Sequence, residues 1–180
     1  MRDRPPVTGR PTLRRRRPTV GAVAGDMHGD RGATRTARAV VQDFFDRADR
    51  RDPGMFEVVA EDFVNHAAGP QGRDGMRRTA AVLDHDLGPL HQEVHHVVAD
   101  GDMVVVHLTL HGTHRASTMP LLQGVPVSGA VVAWTFTHLF RVAGEEIVEH
   151  WATRDDVGLL RQVGAWSPGP GAVPPAAAPG

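Results

Sequence analysis

The sequence predicts an α+β domain in which helices come first and then cover one side of a mostly antiparallel sheet. Two patterns carry this expectation. Apolar residues recur at helical spacing between residues 36 and 86, and from residue 91 to 153 they alternate in four long consecutive segments. Size agrees: 180 residues, 41% hydrophobic, suffice for one core of ordinary size with tails.

Residues 1–32 hold Pro5, Pro6, Pro11, Pro18 and the run Arg14–Arg17, with no sustained period, and are expected to form a disordered leader. A twin-arginine export signal does not fit. The apolar stretch after the arginines, Val20–Ala24, is shorter than the roughly 7–15 residues such a signal needs. Met27 stands just before the first periodic element, which leaves the true start open. Residues 33–166 are expected to be the folded domain. Ser167–Gly180, with five Pro, three Gly and four Ala, reads as a disordered tail.

Within the domain, Ala37, Val40, Val41, Phe44, Phe45 and Ala48 form one apolar stripe on a helix over Thr36–Arg51, stopped by Asp52-Pro53-Gly54. A short helix over Met55–Ala60 and a third over Asp74–Asp86 follow. Strands are expected at His91–Ala99, Met103–Thr113, Val127–Val142 and Glu146–Thr153. The turns Ala99-Asp100-Gly101-Asp102 and Ala143-Gly144-Glu145 supply the glycines that tight hairpins require. A last helix is expected from Asp156 to Val163. A curved sheet covered by helices leaves a pocket between the two layers, where ligands usually sit.

Composition excludes several chemistries. There is no cysteine, hence no disulfide, thiolate nucleophile or Cys-type zinc site. All 20 basic residues are Arg, seven of them in the first 17 positions, and the net charge is −1, so a nucleic-acid partner is not expected. No apolar run approaches the roughly 20 residues needed to span a bilayer, and a cytoplasmic protein is expected. Phosphate-binding glycine loops, a nucleophile-elbow serine and His-Glu-x-x-His are all missing, so neither cofactor nor triad is expected.

Histidine is in excess, with 11 residues. His107, His111 and His114 invite a metal reading. On one strand, however, His107 and His111 share a face at about 13 Å while His114 turns to the other, so no metal site is expected. In the last strand, alternation places Ile147, Glu149, Trp151, Thr153 and Asp155 on one face, and Ile147 and Trp151 mark that face as interior. Asp155 would then face the cavity, where burial raises a carboxyl pKa and suits it to acid/base work. Equally, Asp155 or Asp156 could cap the final helix. Val104, Val106, Leu108 and Leu110 read as an outer sheet row too apolar for solvent, which suggests a homodimer through that face.

These residues resemble a known family. Phe63-Val64-Asn65-His66, Ala99-Asp100-Gly101-Asp102-Met103-Val104, Gly112-Thr113-His114, Phe140-Arg141-Val142 and Ile147-Val148-Glu149-His150-Trp151 with Asp155 and Gly158-Leu159-Leu160 look like the SnoaL-like polyketide cyclases. These ester cyclases belong to the nuclear transport factor two-like superfamily. The resemblance spans about 36–165. It implies a cone-shaped barrel of a curved, mostly antiparallel sheet against three N-terminal helices, sheet-to-sheet dimers, and cofactor-free acid/base catalysis on a small hydrophobic substrate.

Carried over, Asp155 would move the proton in an aldol-type ring closure or isomerisation of a polyketide-like substrate. His114 or His138 would polarise a carbonyl or stabilise the enolate. Asn65, His66, Met119, Trp134, Trp151 and Thr153 would shape the pocket. The setting implied is bacterial secondary metabolism, with a lyase- or isomerase-type activity. The chain departs from the family at His114-Arg115-Ala116-Ser117-Thr118-Met119 and Val125-Pro126-Val127-Ser128, a loop bordering the pocket mouth, and at Leu87-Gly88-Pro89-Leu90. Relatives on this fold also include hydroxylases, dehydratases, isomerases and epoxide hydrolases, and the fold does not separate them, so a hydratase-, dehydratase- or epoxide-hydrolase-type enzyme and a non-enzymatic small-molecule-binding module stay open as alternatives.

Overall fold

The computed structural model describes residues 30–167, so most of the expected leader and nearly all of the tail lie outside the described residues. Five strands form one open sheet in the order β1-β5-β4-β3-β2. Helices α1 (Asp30–Asp49) and α2 (Gly72–Leu87) precede or flank β1 (Val59–Asn65), and β2 (His91–Asp100), β3 (Met103–Thr113), β4 (Val131–Ala143) and β5 (Glu146–Arg154) follow. A short α3 (Asp156–Gln162) ends the domain. The expected α+β architecture holds, with a sheet that curves without closing.

Helix α1 begins at Asp30, six residues before the expected Thr36. Its stripe seals the core: Ala37, Val40, Val41 and Phe44 are buried against the sheet. The helix ends where Arg51 takes a left-handed φ of 56°. Asp52 then caps a 3-10 helix, Pro53–Val58, by accepting from the Gly54 N–H at 2.8 Å. The expected short helix over Met55–Ala60 is therefore a 3-10 turn displaced two residues toward the N-terminus, and it ends at Val58 because Val59 already starts β1.

The sequence pattern does not predict this strand. It pairs parallel to β5 with an irregular register, and its burial does not alternate, so no local signal marks it. At the far end of α2, Gly112 of β3 sits so close to the Leu87 carbonyl that a Cβ would collide with it.

Two corrections concern which face is which. Val104, Val106, Leu108 and Leu110 lie on the inner face of β3, covered by the helices, each at most 8% exposed. The apolar row that suggested an outer-face dimer is thus core. Second, β4 and β5 pair Val142 with Ile147 but Arg141 with Glu149, which leaves Val148 as an extra, bulged residue. The bulge reverses alternation in the rest of β5. Ile147 faces inward, but beyond it His150 and Ala152 share the inner face with their partners Phe140 and His138, and Glu149, Trp151 and Thr153 turn outward.

Candidate active site

Between α1, α2 and the inner sheet lies a cavity of about 270 Å³. Phe44, Phe45, Leu83, Leu108, Phe136 and Phe140 are among the residues that line it. Arg51 and Asp84 line it too and are exposed, which marks the mouth. Deep in the wall stand two imidazoles, His138 of β4 and His150 of β5.

Their protonation follows from the hydrogen bonds. Asn65 Oδ1, at the end of β1, accepts from the Ala67 N–H at 3.1 Å, which fixes that atom as the oxygen. His150 Nδ1 lies 3.2 Å from the same oxygen and must be the donor. A neutral His150 then offers only a lone pair at Nε2, so His138 donates its Nδ1–H across 2.8 Å. This leaves His138 Nε2 bare. Among the described residues it has no hydrogen-bond partner, and His138 lines the cavity, to which this nitrogen opens.

Both rings are neutral. Burial pushes the His138 imidazole down to about 3, and its nearness to His150 and to the Arg154 guanidinium acts in the same direction. Burial and then His66 push His150 down to about 4. His138 is held along its strand between the rings of Phe136 and Phe140, at 5.1 and 5.6 Å between centroids. Asn65 is itself clamped: its N–H donates to Gln71 Oε1 at 2.7 Å and its carbonyl accepts from Gln71 Nε2 at 2.8 Å.

The other expected site residues lie elsewhere. Asp155 is exposed and caps α3, accepting from the Gly158 N–H at 2.8 Å, while its own N–H donates to the Thr135 carbonyl. The Val148 bulge and the end of β5 place it outside the cavity, so it does not face a bound molecule there. His114 is fully buried but away from the cavity, between Ser128 Oγ and Ser117 Oγ, each at 2.9 Å. It closes the loop from 114 to 130.

His66 pairs with Glu149 at 2.7 Å and stacks on Trp151 at 4.3 Å, both on the outer side of the sheet, and Thr153 is exposed there too. Met119 and Trp134 are core, not cavity wall. Of the expected residues, the structure brings together His138 in the wall and Asn65 behind it. Alternation hid His150, because the extra residue Val148 precedes it.

Asp86 is a further buried carboxylate, fully enclosed at the end of α2. It accepts from the N–H groups of Thr118 and Met119 and from Thr118 Oγ1, each at 2.7 Å. Burial pushes its pKa up, but those hydrogen bonds and His85 outweigh it and hold the carboxyl below the usual range. It anchors residues 115–119 beside the core.

A family profile for SnoaL-like polyketide cyclases matches residues 35–163, from α1 to the end of α3. The chain belongs to the SnoaL-like polyketide cyclase family. Solved structures agree on the SnoaL-like fold. TsrD from Streptomyces laurentii is 22% identical with a TM-score of 0.64, covering 73% of this chain and 97% of its own. IdmH from Streptomyces antibioticus is 26% identical with a TM-score of 0.62, covering 71% and 98%. AclR from Streptomyces galilaeus is 21% identical with a TM-score of 0.65, covering 77% and 91%. No curated protein matches the sequence.

Proposed function

We propose that this SnoaL-like protein is a cofactor-independent acid/base enzyme that closes a ring in, or isomerises, a polyketide-like substrate, with His138 Nε2 as the proton acceptor. The observation that carries this is the chain Asn65–His150–His138, which ends in a bare imidazole nitrogen open to an apolar cavity. Family membership and the provisional cyclase assignment of IdmH support a cyclase- or isomerase-type reaction. AclR, provisionally a hydroxylase, belongs to a different reaction type, so the fold alone does not choose.

The low basicity of the pair selects the substrate. An imidazole whose basicity burial holds down is matched to a carbon that is already acidic, such as a methylene between two carbonyls. In the proposed step, that carbon gives its proton to His138 Nε2 and becomes an enolate. The enolate carbon attacks a second carbonyl of the same chain, forming a carbon–carbon bond. The resulting alkoxide takes the proton back. No electron or group leaves, so no cofactor is needed. The proton returns readily because burial disfavours the charged imidazolium. Phe44, Phe45 and Phe140 would fold the chain against the base, and Arg51 at the mouth would meet an ester or acyl oxygen.

One observation favours a second reading, a small-molecule-binding module. Among the described residues, the sole carboxylate lining the cavity is Asp84 at its exposed mouth. The test separates the two. A 3,5-dioxo ester is incubated with the protein in heavy water, and loss of the methylene proton signal is followed by NMR. The parent chain should accelerate exchange, and His138→Gln should reduce that acceleration on the order of 10²–10⁴-fold with the fold retained by circular dichroism. Equal exchange by both proteins would overturn the assignment, and binding without exchange would favour the module.

A further inference from the structure

Two neutral imidazoles joined by one hydrogen bond can carry their protons in either of two directions, and the two present opposite chemistry to a bound molecule. With His138 donating its Nδ1–H to His150 Nε2, a lone pair faces the cavity from His138 Nε2. With the bond reversed, His150 would donate from Nε2, the His138 proton would sit on Nε2, and the cavity would meet an N–H donor. The same 2.8 Å separation serves both arrangements, so the pair alone does not set its direction.

The polar partner of the pair stands behind the cavity wall. Asn65 is the cross-strand partner of His150 in the parallel pairing of β1 with β5, and its Oδ1 lies 3.2 Å from His150 Nδ1. An amide oxygen only accepts, and the Ala67 N–H that also reaches it, at 3.1 Å, keeps the amide from turning its NH₂ toward the ring. Gln71 holds the Asn65 backbone by both its N–H and its carbonyl, at 2.7 and 2.8 Å. One residue on, the His66 N–H donates to the His150 carbonyl at 2.8 Å and ties the two strands again. The His150 ring lies against Phe63 and Phe140, 6.3 and 5.0 Å between centroids, and among the described residues its Nδ1 has no other partner.

We infer that Asn65 is a positioning residue that sets the proton direction of the His150–His138 pair, so that the cavity meets a lone pair rather than an N–H. A leucine at 65 would leave the His150 Nδ1–H without an acceptor inside the protein, a cost that reversing the chain relieves. His138 Nε2 would then become a donor and lose the capacity to take a proton. An aspartate at 65 keeps the accepting oxygen and therefore the direction, and its charge favours a protonated His150. The catalytic consequence rests on the reading of His138 Nε2 as the proton acceptor, whereas the protonation pattern does not.

The test is long-range proton–nitrogen correlation NMR of the full chain with isotope-labelled histidine, in which bare and protonated ring nitrogens are resolved. The parent, Asn65→Asp and Asn65→Leu are compared, with His138→Gln and His150→Gln to assign the rings. At pH 7.5 the parent and Asn65→Asp should carry the proton of both rings on Nδ1, and Asn65→Leu should carry both on Nε2. The parent His150 should stay neutral down to pH 5, whereas in Asn65→Asp its midpoint should rise by about 1–3 units. His66 and Arg154, the other titratable neighbours of the pair, are the same in these three proteins. In heavy water, Asn65→Asp should keep the accelerated exchange of a 3,5-dioxo ester, and Asn65→Leu should lose on the order of 10²–10⁴-fold. The expected protonation pattern without exchange by the parent would remove the base reading and still support the role of Asn65. A His138 protonated on Nε2 in the parent, an unchanged pattern in Asn65→Leu, or an unmoved His150 midpoint in Asn65→Asp would overturn the proposal, the first and last of these even if Asn65→Leu fails to fold.

Discussion

The buried imidazole pair makes stability depend on pH in a defined direction. His138 titrates near 3 and His150 near 4 when folded, against about 6.5 in the unfolded chain. Between these values the unfolded state binds more protons than the native one, so stability falls as pH falls. It is fully present above pH 6.5 and is lost progressively toward pH 4. Each unit of pH below 6.5 costs about 1.4 kcal/mol per histidine. From pH 7.5 to pH 5, the pair should therefore remove about 4 kcal/mol, a large part of a domain's usual 5–15 kcal/mol.

The other histidines also titrate in this range, so the pair must be isolated by difference. Urea unfolding of the parent and of His138→Leu/His150→Leu would be measured at pH 7.5, 6.5 and 5. The double variant lacks both titrations and should lose far less stability over that interval, with the gap between the two curves closing by about 4 kcal/mol. Parallel losses in the two proteins would show that these imidazoles are not buried neutral in the folded state, and the protonation chain from Asn65 would fall with it.

Three further outcomes follow from the geometry. Asp155→Ala removes the α3 cap and should lower the melting temperature by a few degrees while leaving proton exchange on a dioxo ester unchanged; a collapse of exchange would return Asp155 to the reaction. Asp86→Ala strips two backbone N–H groups and the Thr118 hydroxyl of their acceptor inside the protein, and thermal melts should show a loss of at least about 3 kcal/mol. Deleting Val148 takes out the β5 bulge and would turn Trp151 inward and His150 outward, so soluble folded protein should not be recovered; a well-folded deletion variant would mean that the bulge does not set the face of His150.

The sequence by itself determined the domain class, the presence and order of the helices, and the four long strands β2–β5 to within a few residues. These depend on local periodicity, and a stripe such as Ala37–Val41–Phe44 or a hairpin glycine such as Gly144 is complete within its own segment. It also carried the family, because the motifs around Gly112-Thr113-His114 and Ile147-Val148-Glu149-His150-Trp151 are contiguous. The site was legible only in part: His138 lies on the inner face of a strand with unbroken alternation, and Asn65 stands behind it.

The tertiary structure decided the rest. Which face of β3 is core depends on where the helices dock, and no period-two pattern names its own inside. β1 exists as a strand because β5 is there to pair with it. Two single-residue bulges, at His95 and at Val148, reverse or double the side chains that a strand presents, and each is a property of two strands in register rather than of one. That is why His150 was hidden, why Asp155 fell outside the cavity, and why His95, His96 and His107 meet on the outer face.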